Sequence, residues 1–366
     1  MIGKILQFRM VFSPIMAIFV ISFRMVLFYV RHLCCLNKVR IDHSLVFVSN
    51  NNSTFNVLSR LAKSLALRAR EQGNNACVVD ATELHRYIFS DCKIVYMHWA
   101  LSCYALFFRY GNLNILWYSH TRLNVFPYLP FFRYIDKILF QNSLDACMVR
   151  SHVNLANYHI FPGIVYDYPR SRAAQSLTDE WDNRPYDICF YLAMNSASPL
   201  QYYNIRKNIS YSIDLAAELS SCFSVNLLLN QNAYNYITET MCDRWLLSNK
   251  HFDFEMRQDF PDNLSQLSSA RYFVNSSLLE GGPLSILESI YAGCLPISSL
   301  YSMASSIPEI SSMGLFFDIN RSPKHSAACI KAVIYRKLSY DESIHRLFSA
   351  ASGLTEISFV NLLTSI

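Results

Sequence analysis

The sequence predicts an α/β protein of two domains, each a parallel sheet with helices on both faces, and three observations carry that expectation. The chain has 366 residues, about twice the span of a usual single domain. Short apolar runs alternate with stretches of helical periodicity along both halves, and the runs are apolar at successive positions rather than at alternate ones. Strands buried on both faces of a parallel sheet have that pattern. A polar stretch, Ser171 to Arg184 (SRAAQSLTDEWDNR), then interrupts the alternation and divides it into two series. The sequence therefore reads as two Rossmann-like domains joined by a linker, with the cleft between them as the expected ligand site.

Composition narrows the function. Hydrophobic residues make up 52% and charged residues 16%, enough apolar material for large cores and too little polarity for disorder. With only 9 glycines, turns must rely on Asn, Ser and Asp. The formal net charge of +5 comes from scattered Lys and Arg without a recognition signature, so no nucleic-acid partner is expected. The 11 cysteines form no repeated C-x-x-C pair and no zinc spacing with histidine. They read as reduced, mostly buried thiols of a cytoplasmic protein, which argues against secretion.

Residues 1–40 stand apart as a hydrophobic, membrane-associating segment. Met10 to Val30 (MVFSPIMAIFVISFRMVLFYV) is long enough to span a bilayer as a helix. Arg24 near its middle would cost roughly 2.5–3.5 kcal/mol in a span, and Pro14 would kink it. Lys4 and Arg9 on one side and Arg31, Lys38 and Arg40 on the other leave the orientation undecided. Three placements stay open: lying on the membrane surface, crossing it, or packing in the protein.

The first domain is expected over 41–170. Ser44 to Ser49 reads as a buried strand, followed by the polar loop Asn50 to Thr54. Phe55, Leu58, Ala62, Leu65 and Ala69 then recur at helical spacing. Arg60, Lys63 and Arg70 fall on another face, open to reading as a solvated surface or as a dock for anionic headgroups. Further strands are expected at Ala76 to Val79, Lys93 to Met97, Asn114 to Tyr118, Lys137 to Phe140 and Tyr158 to Phe161.

After the 171–184 linker, the second domain is expected over 185–321. Its strands are Asp187 to Leu192, Ser224 to Leu229, Phe252 to Arg257, Arg271 to Asn275 and Leu295 to Ser298, with helices at Ile205 to Leu219 and Asn232 to Leu247. Residues 322–366 read as helices that could pack back across both domains.

The chemistry concentrates in Asn275 to Ile310 (NSSLLEGGPLSILESIYAGCLPISSLYSMASSIPEI). A strand ends at Asn275; Gly281 and Gly282 let the backbone approach a ligand closely; Pro283 suits a first helical turn. Free N–H groups around Leu284 to Ile286 then make an anion site suited to a diphosphate. Glu280 precedes the helix and Glu288 stands inside it, so both can face one pocket. Gly293 ends the helix.

This stretch resembles the E-x7-E segment of retaining GT-B glycosyltransferases of family 4, the group 1 glycosyl transferases of bacterial surface-polysaccharide type. Glu280 and Glu288 stand at its spacing, and Gly281, Pro283, Leu287, Gly293, Pro296 and the later Ile307-Pro308-Glu309-Ile310 also fit. The resemblance implies that Glu280 contacts the transferred sugar, that Glu288 accepts hydrogen bonds from the ribose hydroxyls, and that the amides after Gly282, with Ser285, hold donor phosphate. It extends faintly from about Ser44. Ile94 to Trp99 resembles a strand ending in His98, a residue open to reading as a packed core imidazole or a site group. Trp117 to Thr121 resembles the strand whose terminal histidine, here His120, lies near the transferred sugar. Arg206-Lys207-Asn208 resembles the basic element that neutralises the donor diphosphate. Two positions depart from the family: Ala193-Met194-Asn195 replaces its Gly-Arg pair, and Asn50, Asn51 and Asn52 replace its glycine-rich turn.

The expected activity is transfer of a hexose-type sugar from a nucleotide diphosphate to a hydroxyl, with retention, without a metal and without a cofactor. There is no Asp-x-Asp motif. The apolar N-terminus suggests a lipid-linked acceptor at the cytoplasmic face of the inner (plasma) membrane, with the protein peripheral or N-terminally anchored. The alternative is a catalytically inactive GT-B-like scaffold of a membrane polysaccharide assembly complex.

Overall fold

The structure, a computed structural model, describes residues 2–35, 37–50, 56–118, 125–150, 158–164, 181–194, 207–241, 252–256, 263–278, 284–299, 307–313, 315–336 and 340–366, with the side chains of the first helix described from Ile18 onward. The chain divides into two compact units, Met1–Phe161 with Glu356–Ile366, and Pro162–Thr355.

The first unit runs α1 (Ile2–Cys34), β1 (Val39–Ile41), β2 (Leu45–Ser49), α2 (Asn56–Glu71), β3 (Ala76–Asp80), β4 (Tyr87–Phe89), β5 (Lys93–Tyr96), β6 (Leu113–Tyr118), β7 (Lys137–Phe140), α3 (Ser143–Arg150) and β8 (Tyr158–Ile160). Six strands form one sheet in the order β3-β2-β5-β6-β7-β8, every pair parallel. All five residues of β2 are buried, as a strand covered on both faces requires. On α2 the buried positions Leu58, Leu61, Ala62, Leu65, Ala66 and Ala69 face the sheet, while Arg60, Lys63 and Arg70 are exposed. Gly73, at φ +83°, stops that helix: its N–H reaches Arg70 O at 2.9 Å and the Asn74 N–H reaches Ala69 O at 2.9 Å. The left-handed turn satisfies carbonyls that the helix end would leave bare.

One feature was beyond the sequence pattern, and two that the sequence left open are decided by packing. β1 and β4 pair as a two-stranded parallel ribbon, too short for any periodicity to mark. α1 is continuous through Pro14 and is fastened to this unit by Ile21 and Phe28, both buried; the Phe28 ring lies 4.7 Å from Phe107 and 5.1 Å from Tyr104. The last helix, Glu356–Ser365, belongs to this unit: the Phe359 ring sits 4.6 Å from Trp117, and Lys93 Nζ donates to the terminal carbonyls of Leu363 (3.2 Å) and Thr364 (2.7 Å). A cation there suits the negative end of the helix dipole. Among the described residues no helix is long and apolar enough to cross a membrane.

The second unit comprises β9 (Tyr186–Leu192), α4 (Ile209–Leu219), β10 (Val225–Leu229), α5 (Gln231–Thr240), β11 (Asp253–Met256), α6 (Asn263–Leu267), β12 (Ala270–Asn275), α7 (Leu284–Tyr291), β13 (Leu295–Ser299), α8 (Pro308–Met313), β14 (Phe316–Phe317), α9 (Pro323–Tyr335) and α10 (Tyr340–Ser352); the last helix of the chain is α11 (Glu356–Ser365). Its six strands are all parallel, in the order β11-β10-β9-β12-β13-β14. In both sheets the strand order reverses once, between β2 and β5 in the first and between β9 and β12 in the second. Right-handed crossovers running in opposite directions from such a point put helices on opposite faces and leave a crevice at the carboxyl ends of the two strands.

The expected helix from Ile205 begins at Ile209, because Asn208 takes a left-handed conformation (φ 55°) that a helix interior does not admit. Arg184 is buried, its Nη1 donating to Ala270 O (2.6 Å) and Gly293 O (2.9 Å), and it clamps the start of this unit to its sheet. Of the ten described cysteines, all are free; Cys92, Cys103, Cys189 and Cys294 are buried, while Cys34, Cys147 and Cys222 are exposed. The thiols are thus less uniformly buried than the sequence reading had them.

Candidate functional site

The second-unit crevice is built from short polar side chains at strand ends. Past β9, the Met194 N–H donates to Asn230 Oδ1 (3.0 Å) and the Asn230 amide donates back to Met194 O (2.8 Å). Asn230 also caps α5, accepting the Ala233 N–H at 2.9 Å, so one asparagine fixes both the strand end and the next helix. Across the reversal, β12 ends at Asn275, and Asn275 and the two residues that follow, Ser276 and Ser277, are all buried. Asn208 donates to Ser276 O at 3.3 Å, the Ser212 and Ser276 hydroxyls bond each other, and Ser299 donates to Ser277 O at 2.7 Å. The N-terminus of α4 is thereby pinned at the end of β12. Asn275 Oδ1 accepts the Ser277 N–H at 3.0 Å, while its buried Nδ2 has no hydrogen-bond partner among the described residues. A buried amide left unpaired is costly and invites an acceptor.

α7 follows. Its buried face is Ile286, Leu287, Ser289 and Ile290. Leu284, Ser285 and Glu288 are half-buried on the remaining surface, Ser285 and Glu288 three residues apart and so side by side. Asn263 Nδ2 donates to Glu288 Oε2 at 3.2 Å, and Asn263 itself is 2% exposed. That bond orients the carboxylate and keeps it an acceptor. Gly293 (φ 76°) ends α7 as the sequence led one to expect: its N–H reaches Ile290 O at 2.9 Å and the Cys294 N–H reaches Ser289 O at 2.8 Å.

The expected site residues distribute as follows. Leu284, Ser285 and Glu288 are brought together on α7; Lys207, half-buried, immediately precedes left-handed Asn208 at the start of α4. Glu280, Gly281, Gly282, Arg206 and His120 lie outside the described residues. His98 stands in the first unit at the carboxyl end of β5, 7% exposed, with its ring centroid 4.7 Å from that of Trp99. Its Nδ1 accepts the Ala100 N–H at 3.0 Å, which leaves the ring proton of the neutral imidazole on Nε2. The sequence reading missed Asn230, Asn263, Ser212 and Ser276, since an isolated Asn or Ser carries no local sign of which distant element it will hold. Among the described residues no group of three or more His, Cys, Asp or Glu is placed to hold a metal ion.

No family model matches the chain, and no curated protein matches it in sequence. Its likeness to solved structures is clear. A trehalose-6-phosphate synthase studied for glycosyl transfer with retention, using bisubstrate glycomimetics, superposes with a TM-score of 0.64 at 11% identity, over 88% of this chain and 99% of that one. The trehalose-6-phosphate synthase of Burkholderia multivorans gives 0.63 at 10% identity, over 89% and 98%. A structure from E. coli bound with UDP-2-fluoro glucose gives 0.59 at 11% identity, over 82% and 76%. At such identities the likeness shows the fold: the chain has the α/β architecture, with two parallel sheets, of the GT-B glycosyltransferase structures.

Proposed function

We propose that the chain is a glycosyltransferase that moves a sugar from a nucleotide-diphosphate donor to a hydroxyl with retention. The observation that carries this reading is the second-unit crevice, where the starts of α4 and α7 and the carboxylate of Glu288 gather at the reversal of the strand order. Open α/β sheets bind nucleotides at such points. The first N–H groups of α7 lack intrahelical partners and suit a diphosphate, with Ser285 beside them. Lys207 adds a cation to balance charge growing on the leaving nucleotide. Glu288, oriented by Asn263, is the carboxylate this reading assigns to the ribose hydroxyls. The resemblance adds Glu280 and His120 as groups contacting the transferred sugar and Arg206 as a second cation. The donor is a substrate and no cofactor is invoked.

The family 4 assignment and the surface-polysaccharide setting rest on the E-x7-E residues. Retention is supported by that segment and by the fold shared with an enzyme studied for transfer with retention. For the acceptor and the location, α1 supports a peripheral place at the cytoplasmic face of the inner membrane and a lipid-linked acceptor. Phe19, Phe23, Val26, Val30 and Leu33 are exposed along its outer face, and Lys38 and Arg40 follow close behind in the chain, as on helices that lie in a headgroup layer.

Purified protein offered UDP-, GDP- and ADP-sugars with membrane lipid extract tests the reading, with Glu280→Ala and Glu288→Ala alongside. Consumption of one donor by the wild type, lost in both variants, is the expected result. Donor binding without turnover under every acceptor condition would make the chain the inactive scaffold, and failure to bind any donor would remove the site assignment itself.

A further inference from the structure

The first unit has its own crevice at the reversal between β2 and β5, and a cavity of about 200 Å³ lies there, floored by Ser49, Asn50, Met97 and His98 and walled on one side by α1. The residues α1 turns toward it are the unexpected part. Ile21 and Phe28 pack into the unit, and Arg24 and Arg31 flank them on the same side of the helix, at spacings of three and seven residues. The apolar positions Phe19, Phe23, Val26 and Val30 occupy the opposite, outward side.

Among the described residues that line the cavity there is no Asp or Glu, His85 joins the two arginines in its wall, and neither Arg24 nor Arg31 makes an ion pair with a described residue. On the floor, Ser49 is 1% exposed and its hydroxyl has no hydrogen-bond partner among the described residues. Leu27, Leu58 and Leu101 supply an apolar wall. A second, more open cleft shares Arg31, Thr82 and His85 with the first and adds Glu83, which pairs with Arg86 at 3.3 Å, so a ligand held in the cavity has room to continue outward.

We propose that this cavity binds the phosphate of an organic phosphate ester, with Arg24 and Arg31 as its counter-ions, Ser49 as a hydroxyl donor and the leucines against the rest of the ligand. Two arginines and an orphaned hydroxyl lining one cavity, with no carboxylate among its described lining residues, are the kind of donor set such a dianion needs. The phosphate belongs to a free sugar phosphate or to the head of a lipid, and its role as the acceptor of the proposed transfer rests on the glycosyltransferase reading; the phosphate site does not.

The test titrates the full chain, without donor, with inorganic phosphate, with glucose 6-phosphate, and with a polyprenyl phosphate carried in phosphatidylcholine vesicles, against plain vesicles, while UDP-, GDP- and ADP-sugar binding is measured separately. Saturable binding of an organic phosphate is expected. Arg24→Gln and Arg31→Gln should each weaken it about tenfold, Arg24→Lys should restore most of the loss, and Arg40→Gln, whose guanidinium is exposed and paired with Asp42 at 3.0 Å, should leave it unchanged. Both cavity arginines are exposed enough for the variants to fold. Binding of the soluble ester identifies a small phosphate; binding only from polyprenyl phosphate vesicles identifies a lipid headgroup; either supports the site. Absence of any organic phosphate binding while a nucleotide sugar still binds overturns this inference alone, as does binding indifferent to both arginine variants. Phosphate binding with no nucleotide sugar bound leaves the cavity standing and sinks the donor reading.

Discussion

The two crevices arise from the same topology and are furnished in opposite ways. In the second unit, the polar side chains at the reversal are tied to one another: Asn230 to Met194, Asn208 and Ser212 to Ser276, Asn263 to Glu288. In the first, the described lining of the cavity holds two arginines without a carboxylate, a Ser49 hydroxyl unpartnered among the described residues, and an apolar wall to which α1 lends Leu27. The difference teaches what a doubly wound sheet leaves free. Strand order fixes where a crevice opens; loop and helix-end residues decide what chemistry it presents. A network whose side chains are tied to one another, with the Asn275 amide left for an acceptor, is rigid and suited to precise positioning, whereas two arginines without a carboxylate among the described lining are held ready for an anion that arrives with the ligand.

Four measurements would break or sharpen this contrast. Replacing Phe28 by Ala should cost the first unit about 3 kcal/mol by opening a cavity among Tyr104, Phe107 and Phe108. Hydrogen exchange should then show lost protection in α1 and none in the strands of the second unit; loss across both sheets would mean that α1 holds more than its own unit. Next in size, Glu288→Ala should lower kcat/KM for the donor about a hundredfold, with Arg24→Gln changing donor affinity less than about twofold. Equal losses in the two variants would erase the distinction between the crevices. Asn263→Ala should raise the donor KM about tenfold and leave kcat nearly intact, because it removes the group that orients Glu288 and not one that meets the reacting atoms. A fall in kcat alone would assign Asn263 a different part.

The smallest effect concerns thiols. Cys222 is exposed, and hydrogen bonds from Ser221 and then Lys331 hold its pKa below the ordinary value. In the first crevice, Cys103 is pushed up to about 12 by burial, with nearby Arg24 pulling the other way. A lowered pKa means more thiolate at a given pH, and the thiolate is what alkylates. At pH 8, iodoacetamide should therefore label Cys222 a few-fold faster than exposed Cys34 or Cys147 and leave Cys103 unmodified, as read by peptide mass mapping. Fast labelling of Cys103 would show that the wall formed by α1 opens in solution.

Much of the fold was legible because its signals are local. Strands such as Leu45–Ser49, Val225–Leu229 and Leu295–Ser299 are apolar on both faces, which only a covered parallel sheet explains. Ser322 before Pro323, and Gly293 after α7, mark helix ends by the conformations those residues favour. Of the site, Leu284, Ser285 and Glu288 were readable for the same reason: they share one short helix whose start and stop stand in the sequence. The ribbon of β1 and β4 was not readable, since three residues hold no period. Neither was the role of Asn263, which meets Glu288 from 25 residues away.

By itself, then, the sequence determined the class of the fold and the run of strands and helices, because periodicity and helix-end chemistry act over a turn or two. Tertiary structure alone decided the rest. Glu356–Ser365 joins the first unit when Phe359 finds Trp117. Arg24 and Arg31 line a cavity because Ile21 and Phe28 choose the side of α1 that packs. Asn275 and Ser276 become a crevice floor once β9 lies beside β12. Each depends on a contact between residues far apart in the chain, chosen by which apolar surfaces bury one another best, and no local pattern encodes that choice.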